Sequence, residues 1–307
     1  MIEIGGYFGF EDLPHKEYYP DLLALNTARN ALCYAIKAYI IKKIFILYYL
    51  CNSIEKMLLK NDIQFEKYHV DEKFEPIYRN KLGVNEYILI VNYYGQICAE
   101  RAQKLQNKYN NVILDNTQAF FQTQLESMPT LYSCRKFFGV SDGAYLATEN
   151  ILNDEFETDV SKDRMKHLLG RYEGTASEYY ADFKKNDAEL ANEPIKAMSR
   201  LTKNILGAID YECVIKKRNL NFQFLHERLG DKNVLKLSVP HGPFAYPFYS
   251  ENAVEIRKIL AEKKIYIPVL WPNVVNDPQA SELERRYAKC ILPLPCDQRY
   301  EFFSKGQ

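Results

Sequence analysis

Three elements along the chain carry residue types that could act together chemically. Thr27 and Ala28 precede an apolar-periodic run, which predicts a helix start whose free N–H groups and dipole favour a phosphate. Asp115 ends an apolar run and predicts a carboxylate at the ligand edge of a sheet, where it could face a cation. Lys136 follows Ser133 in a Ser-x-x-Lys segment rich in aromatic residues and glycines. An enclosed lysine has a pKa depressed by desolvation, which frees a nucleophilic amine for Schiff-base chemistry with carbonyl compounds.

Each element also has a plainer interpretation. Thr27 is more commonly an ordinary helix cap, Asp115 caps a following helix about as often as it meets a cation, and Arg135-Lys136 is a solvated basic pair. The Ser-x-x-Lys spacing also occurs in penicillin-binding proteins, but their Ser-Asp-Asn and Lys-Thr-Gly elements are absent from this sequence. Acyl transfer is therefore disfavoured.

Taken in chain order, the three elements favour a site for pyridoxal phosphate. The phosphate would lie on the helix start at Thr27, the pyridinium nitrogen on Asp115 and the aldehyde on Lys136. Asp115 would keep the ring nitrogen protonated, and Lys136 would move the substrate proton as general base and acid.

Composition limits the class of function. The 307 residues include 40 Lys+Arg and 40 Asp+Glu, and a net charge of zero argues against nucleic acid or an anionic membrane as the main partner. The apolar run that starts at Ile44 is far shorter than the roughly 20 residues that a bilayer requires, so no membrane span is expected. The cysteines lack zinc-ligand spacing, and the histidines are widely separated, which predicts no metal site. With no signal-peptide pattern at the first residues, reduced thiols in a cytoplasmic protein are expected.

The elements that must position these residues follow an α/β pattern. Continuous apolar runs predict buried strands over 44–49, 64–70, 86–92 and 111–115, and amphipathic patterns predict helices over 28–43, 52–59 and 97–109. Such alternation is typical of a mostly parallel sheet covered on both faces, whose ligands lie beyond the carboxyl ends of the strands. Asp115, Asn92 and Tyr48-Tyr49 fall at those ends.

The pattern changes after about residue 149. Residues 150–190 are polar and rich in loops and helices, and 193–228 predict one long helix or two in series. A short strand over 234–239 and a helix over 253–263 follow. We therefore predict a large α/β domain over 1–190, and a long connecting helix with a small α+β domain over 191–307.

Four segments resemble the DegT-type sugar aminotransferases, a pyridoxal-phosphate-dependent family. Residues 26–32 resemble its phosphate-binding Ser-Gly-Thr-x-Ala-Leu element, and 92–95 resemble its His-x-Tyr-Gly strand end. Residues 112–119 resemble its Val-Ile-Glu-Asp-x-Ala-Gln-Ala strand end, which implies Asp115 at the ring nitrogen and Gln118 by the ring oxygen. Residues 133–143 resemble its cofactor-lysine segment, which implies Lys136 as the Schiff-base lysine and Ser133 as a phosphate ligand. The remaining cofactor contacts implied are Thr27, Ala28 and Arg29.

The resemblance implies an aspartate-aminotransferase-like fold, a three-layer α/β sandwich around a mostly parallel seven-stranded sheet. It also implies transamination between a small amino donor and a keto acceptor, such as a keto sugar nucleotide in polysaccharide or secondary-metabolite assembly, by a homodimer. The aromatic residue that family members stack on the cofactor aligns with Tyr48, Tyr49 or Cys51. The family's partner-subunit Asn or Arg that reaches the phosphate has no evident counterpart before Met198.

Two other functions follow from the same residues. A scaffold or regulator could keep this fold, and even the cofactor, without turnover. A nicotinamide-dependent oxidoreductase is disfavoured, because no predicted strand is followed by a glycine fingerprint.

Overall fold

A single large sheet forms the centre of the computed structural model, which describes residues 6–14 and 16–301. Its strands, in chain order, are β1 (Leu23–Leu25), β2 (Lys43–Leu47), β3 (Gln64–Val70), β4 (Pro76–Ile77), β5 (Glu86–Val91), β6 (Val112–Asp115), β7 (Thr130–Ser133) and β8 (Ala144–Ala147). Across the sheet they lie in the order β1-β8-β7-β6-β5-β2-β3-β4.

The sheet is mostly parallel, as the sequence predicts. Strands β3, β2, β5, β6 and β7 are joined by parallel pairings, whereas β8 pairs antiparallel with both β7 and β1. The predicted number of seven strands is too low by one, because the two-residue β4 pairs antiparallel with the end of β3. A strand this short leaves little periodic signal in a sequence.

Helices from the βα units cover this sheet. They are α1 (Ala28–Ala38), α2 (Asn52–Lys60) and α3 (Ala99–Tyr109). Helix α1 packs against β7 and β8, α2 packs against β3, and α3 packs against β6. Every residue of β6, and every residue from Ile44 to Leu47 in β2, is buried, so both faces of the sheet centre are covered. Helix α1 ends five residues before the predicted position, since the backbone turns at Ile40, which has a φ of 51°.

The rest of the chain is helical with a small second sheet. Its helices are α4 (Lys166–Glu173), α5 (Tyr180–Asn192), α6 (Arg200–Gly207), α7 (Tyr211–Leu229), α8 (Ala253–Glu262), α9 (Pro272–Val275) and α10 (Glu282–Cys290). Strands β9 (Tyr246–Tyr249) and β10 (Ile291–Leu294) pair antiparallel. The two helices in series predicted over 193–228 are present as α6 and α7. The predicted strand over 234–239 is wrong: these residues form no strand, and Val234 and Val239 are exposed.

Contacts through Glu284 and Trp271 join the C-terminal part to the main sheet. The carboxylate of Glu284 in α10, fully buried, accepts from the Val70 backbone N–H at 3.0 Å and lies 2.9 Å from the His69 ring. Trp271 packs on the rings of Tyr49 and Tyr93 at 4.6 and 5.3 Å. The predicted boundary near residue 190 stays a prediction. Among the described residues, no helix is long and apolar enough to cross a membrane.

Candidate functional site

The ends of several strands bring the predicted site residues to one edge of the sheet. Strand β8 is antiparallel to both β1 and β7, so β1 runs in the same direction as the parallel strands. The carboxyl ends of β1, β7, β6, β5 and β2 therefore lie along one edge. Thr27, Asp115 and Lys136 come at or just after three of those ends, which is where ligands bind in sheets of this kind.

Asp115 and Lys136 are linked through Thr117. The Asp115 side chain is buried, and its Oδ1 accepts from the Thr117 N–H at 2.8 Å. The Lys136 Nζ donates to Thr117 Oγ1 at 2.8 Å. One lysine, one carboxylate and a hydroxyl between them thus form a compact polar group at the strand ends.

Lys136 combines solvent access with a perturbed pKa. Its side chain is exposed, yet the surrounding protein desolvates the ammonium and lowers the pKa of Lys136. The Asp115 carboxylate and the Cys51 thiol oppose this effect, and the Arg135 guanidinium adds to it. An accessible lysine of lowered pKa carries more neutral amine near pH 7 than an ordinary one, and the neutral amine is the nucleophile.

This electrostatic balance makes a testable prediction about pH. Because Asp115 stabilises the ammonium form, Asp115→Asn is expected to lower the pKa of Lys136 further. The rate at which Lys136 reacts with a small aldehyde, trapped by cyanoborohydride and located by peptide mass spectrometry, should then rise at lower pH in the variant. A profile unchanged or moved to higher pH would contradict this assignment of charges.

The start of α1 is capped as the sequence predicts. Thr27 is extended, and its Oγ1 accepts from the Asn30 N–H at 3.1 Å. The Asn30 amide donates to the carbonyls of Glu193 and Pro194. The backbone N–H groups of Ala28 and Arg29 have no partner in the part of the chain that the structure describes. They are available to an anion.

The lysine segment adds further polar groups at this end. Ser133 ends β7, is buried, and its hydroxyl has no hydrogen-bond partner within residues 6–14 and 16–301. Arg135 forms an ion pair with Asp187 of α5, with Nη2 and Oδ1 2.5 Å apart. The interpretation of Arg135 as a simple solvated cation is therefore wrong, because a specific carboxylate holds its guanidinium.

Gln118 and the residues after β2 complete this edge. The Gln118 Oε1 accepts from the Tyr94 N–H at 3.0 Å, which fixes the amide against the end of β5. Tyr48 stacks on His69 at 4.5 Å, and Tyr49 is fully buried. Cys51 is exposed and lies close enough to Lys136 and Arg29 to influence the pKa of each. Cys51, one of the three candidates for the ring-stacking position, thus acts electrostatically on Lys136.

Buried contacts fix the loop that carries Lys136. Asp142, fully buried, accepts from the N–H and hydroxyl of Ser199 and from the hydroxyl of Thr202. Gly143 has a φ of +112°, and a Cβ there would lie 3.0 Å from the Thr202 methyl, so glycine suits this turn. These contacts hold the far end of the loop against the start of α6.

A second anchor lies directly after the lysine. Buried Arg218 donates to the carbonyl of Phe137 at 3.1 Å, and Gln298 donates to the same oxygen at 2.8 Å. Two distant segments of the C-terminal part therefore fix the backbone next to Lys136, so its position depends on the whole fold.

Thr117, Asp187 and His167 are residues that sequence reasoning missed. Thr117 lies within the segment 112–119 described above. Its position two residues after Asp115 could have indicated that its backbone N–H binds the Asp115 carboxylate. Asp187 and His167 reach the site from α5 and α4, and their spacing in sequence carries no such signal. Within the described residues, no group of three or more His, Cys, Asp or Glu side chains could hold a metal ion.

The fold is shared with solved aminotransferase structures. No protein-family model and no curated protein matches the chain. NtdA from Bacillus subtilis, solved with bound cofactor PMP, matches with a TM-score of 0.63 and 15% identity over 92% of this chain and 70% of that one. A DegT DnrJ EryC1 StrS aminotransferase from Brucella abortus matches with a TM-score of 0.59 and 14% identity over 92% and 82%. DesI, solved in the presence of its TDP-sugar product, matches with a TM-score of 0.58 and 14% identity over 91% and 76%. At these identities the likeness confirms the predicted aspartate-aminotransferase-like fold.

Proposed function

We propose that this chain is a pyridoxal-phosphate-dependent aminotransferase that acts through Lys136. The observation that carries the proposal is the Asp115–Thr117–Lys136 group, with an accessible lysine of lowered pKa. It lies at the ligand edge of a fold that this chain shares with aminotransferases. The sequence resemblance assigns the same residues to the cofactor.

The polar groups at the sheet edge fit the functional groups of pyridoxal phosphate. The free N–H groups of Ala28 and Arg29 and the unpartnered Ser133 hydroxyl suit a phosphate. The buried Asp115 carboxylate suits a cationic ring nitrogen, and the Lys136 amine suits an aldehyde. Gln118 would lie by the ring oxygen. We therefore infer that these residues, with Thr27 as the helix cap, hold the cofactor.

Each residue would then have a defined role in transamination. When bound, pyridoxal phosphate supplies an electron sink for the electron pair left as a proton leaves the α-carbon of an amino donor. Asp115 holds a proton on the ring nitrogen. The Lys136 amine takes the α-proton from the substrate and returns it. Because the pKa of Lys136 is lowered, a larger fraction of the lysine is the neutral amine that can accept this proton. Thr117 orients that amine through its hydroxyl.

The acceptor that we propose is a keto sugar nucleotide, with a small amino acid as donor. Support comes from the sequence resemblance to sugar aminotransferases and from DesI, whose structure was solved with its TDP-sugar product. The polysaccharide or secondary-metabolite setting belongs to this proposal, as does a cytoplasmic location.

A homodimer is also part of the proposal. Helices α4 and α5, which carry His167 and Asp187, expose apolar side chains. Tyr172 is 92% exposed, Leu169 60% and Tyr180 57%. A second copy covering this face would bury them next to the site.

The experiment that tests the proposal is a half-reaction with the donor alone. The protein loaded with pyridoxal phosphate is mixed with glutamate, and conversion of the bound aldehyde to the amine form is followed by absorbance. We expect conversion, and release of 2-oxoglutarate in equal amount. A protein that binds the cofactor but converts it with no donor from a panel of amino acids would instead be a scaffold or regulator.

A further inference from the structure

Arg29 lies in the first turn of α1. Arg29 is partly buried, and its guanidinium has no hydrogen bond or ion pair in the part of the chain that the structure describes. Burial and the nearby Arg135 lower the pKa of Arg29, while Asp187 opposes them. Two guanidinium groups thus share one carboxylate, which is an unfavourable arrangement unless an anion joins them.

Helix α5 explains why the two arginines approach each other. Asp187 in α5 holds Arg135 at 2.5 Å, and Asn186 beside it donates to the Ser141 carbonyl at 3.0 Å. Just beyond the end of α5, the carbonyls of Glu193 and Pro194 accept from Asn30 at 3.2 and 2.7 Å. Helix α5 contacts the lysine segment, and the two residues just after it contact the start of α1, so this part of the chain brings the arginines of both together.

The neighbouring charges leave a local positive excess. Asp182 of α5 is paired with Lys166, with Nζ and Oδ1 3.1 Å apart. Burial, with the positive charge of Arg135, lowers the pKa of His167, so its ring is neutral at pH 7. Lys136 faces Asp115, whereas Arg29 and Arg135 together face Asp187, so the two guanidinium groups carry one positive charge more than that carboxylate. The excess lies beside the free N–H groups of Ala28 and Arg29.

We propose that Arg135, held by Asp187, joins Arg29 in binding the phosphate of pyridoxal phosphate, so that a single chain supplies both cations of the phosphate site. This inference rests on the proposed function. Arg135 would take the place of the partner-subunit Asn or Arg of the resembled family, which has no evident counterpart in this sequence before Met198. A guanidinium presents its N–H donors in a planar fork that matches phosphate oxygens, which suits both arginines to this role.

Comparison of pyridoxal phosphate with pyridoxal tests the proposal, because pyridoxal keeps the aldehyde and lacks the phosphate. Dissociation constants for both are measured by absorbance for the native chain, Arg29→Gln, Arg135→Gln and Arg135→Lys. The matched control is Arg79→Gln, which changes an exposed arginine in the loop between β4 and β5. Each glutamine variant should bind pyridoxal phosphate about 10- to 100-fold more weakly than the native chain does, as expected for loss of one charge-assisted hydrogen-bonding group. Arg29→Gln should bind pyridoxal as the native chain does. Arg135→Gln should lose less affinity for pyridoxal than for pyridoxal phosphate, because it also raises the pKa of Lys136. Arg135→Lys should lose less, and the control nothing.

Several outcomes would overturn the proposal. If Arg135→Gln loses both ligands equally, Arg135 acts on Lys136 or on folding instead of on the phosphate. Arg29 has no partner to lose, so unchanged binding of pyridoxal phosphate by Arg29→Gln contradicts its role without ambiguity of folding. If the native chain binds pyridoxal phosphate more tightly than pyridoxal and the glutamine variants do so to the same extent, the roles of Arg29 and Arg135 are overturned while the proposed function stands. A native chain that binds neither aldehyde overturns the proposed function and this inference with it.

Discussion

Replacement of Lys136 by alanine is expected to reduce the half-reaction with an amino donor by at least about 10³-fold, within the range for loss of a general acid–base group. The variant removes the only amine that the structure places within hydrogen-bonding distance of Thr117 among the described residues. The α-proton then has no positioned base. The measurement is a single-turnover rate at saturating pyridoxal phosphate.

The control for this variant is an exposed lysine outside the candidate site. Lys263 caps the end of α8 and is exposed, so Lys263→Ala should react at the native rate. Lys136→Arg separates charge from reactivity, because it keeps a cation near Asp115 but has no amine that can attack an aldehyde. If Lys136→Ala retains a rate within a few fold of the native protein, Lys136 is not the catalytic lysine.

Replacement of Asp115 by asparagine is expected to slow the same half-reaction by about 10²–10³-fold, a typical effect of removing one preorganised electrostatic group. Asparagine has nearly the same shape, and its carbonyl oxygen can still accept from the Thr117 N–H, as Asp115 Oδ1 does at 2.8 Å. The local structure is thereby kept while the negative charge is lost. A neutral amide cannot hold a proton on the ring nitrogen, so the electron sink is weakened.

The readouts distinguish this effect from loss of cofactor. Because Lys136 is intact in Asp115→Asn, covalent uptake of pyridoxal phosphate should persist while turnover falls. Asp115→Glu restores the charge at a displaced position and should recover part of the rate. Native turnover in Asp115→Asn would show that the carboxylate serves only to bind the Thr117 backbone.

The sequence predicts the parallel half of the sheet well and the antiparallel elements poorly. Strands β2, β3, β5 and β6 are found close to their predicted positions, because their apolar runs alternate with amphipathic helices. Strands β7 and β8 have four residues each, and only a three-residue 3-10 helix, Cys134–Lys136, lies between them, so they carry no such pattern. The apolar run at 234–239 predicts a strand, but the strand of this region is β9, at Tyr246–Tyr249. The Asn233 side chain, just before the run, binds the backbone of Pro247 and Tyr249 in β9.

The residues of the candidate site also divide into those that the sequence could place and those that it could not. Asp115 and Lys136 could be placed because each ends or follows a strand, and strand ends share one edge of a parallel sheet. Asp187 could not be placed, since it lies 52 residues after Arg135 and meets it only through the packing of α5. Arg218, which fixes the carbonyl of Phe137, belongs to another distant helix and has no local signal either. Contacts that depend on tertiary packing are the ones that the sequence leaves open.

Borohydride reduction of the native protein with pyridoxal phosphate, followed by peptide mass spectrometry, tests the central claim most directly. Reduction fixes the cofactor wherever a lysine amine has bound its aldehyde. We expect a single modified peptide, with the added mass on Lys136, and no modification of Lys136→Ala at equal cofactor concentration. Modification spread over exposed lysines, or identical labelling of the native protein and the variant, would contradict the account.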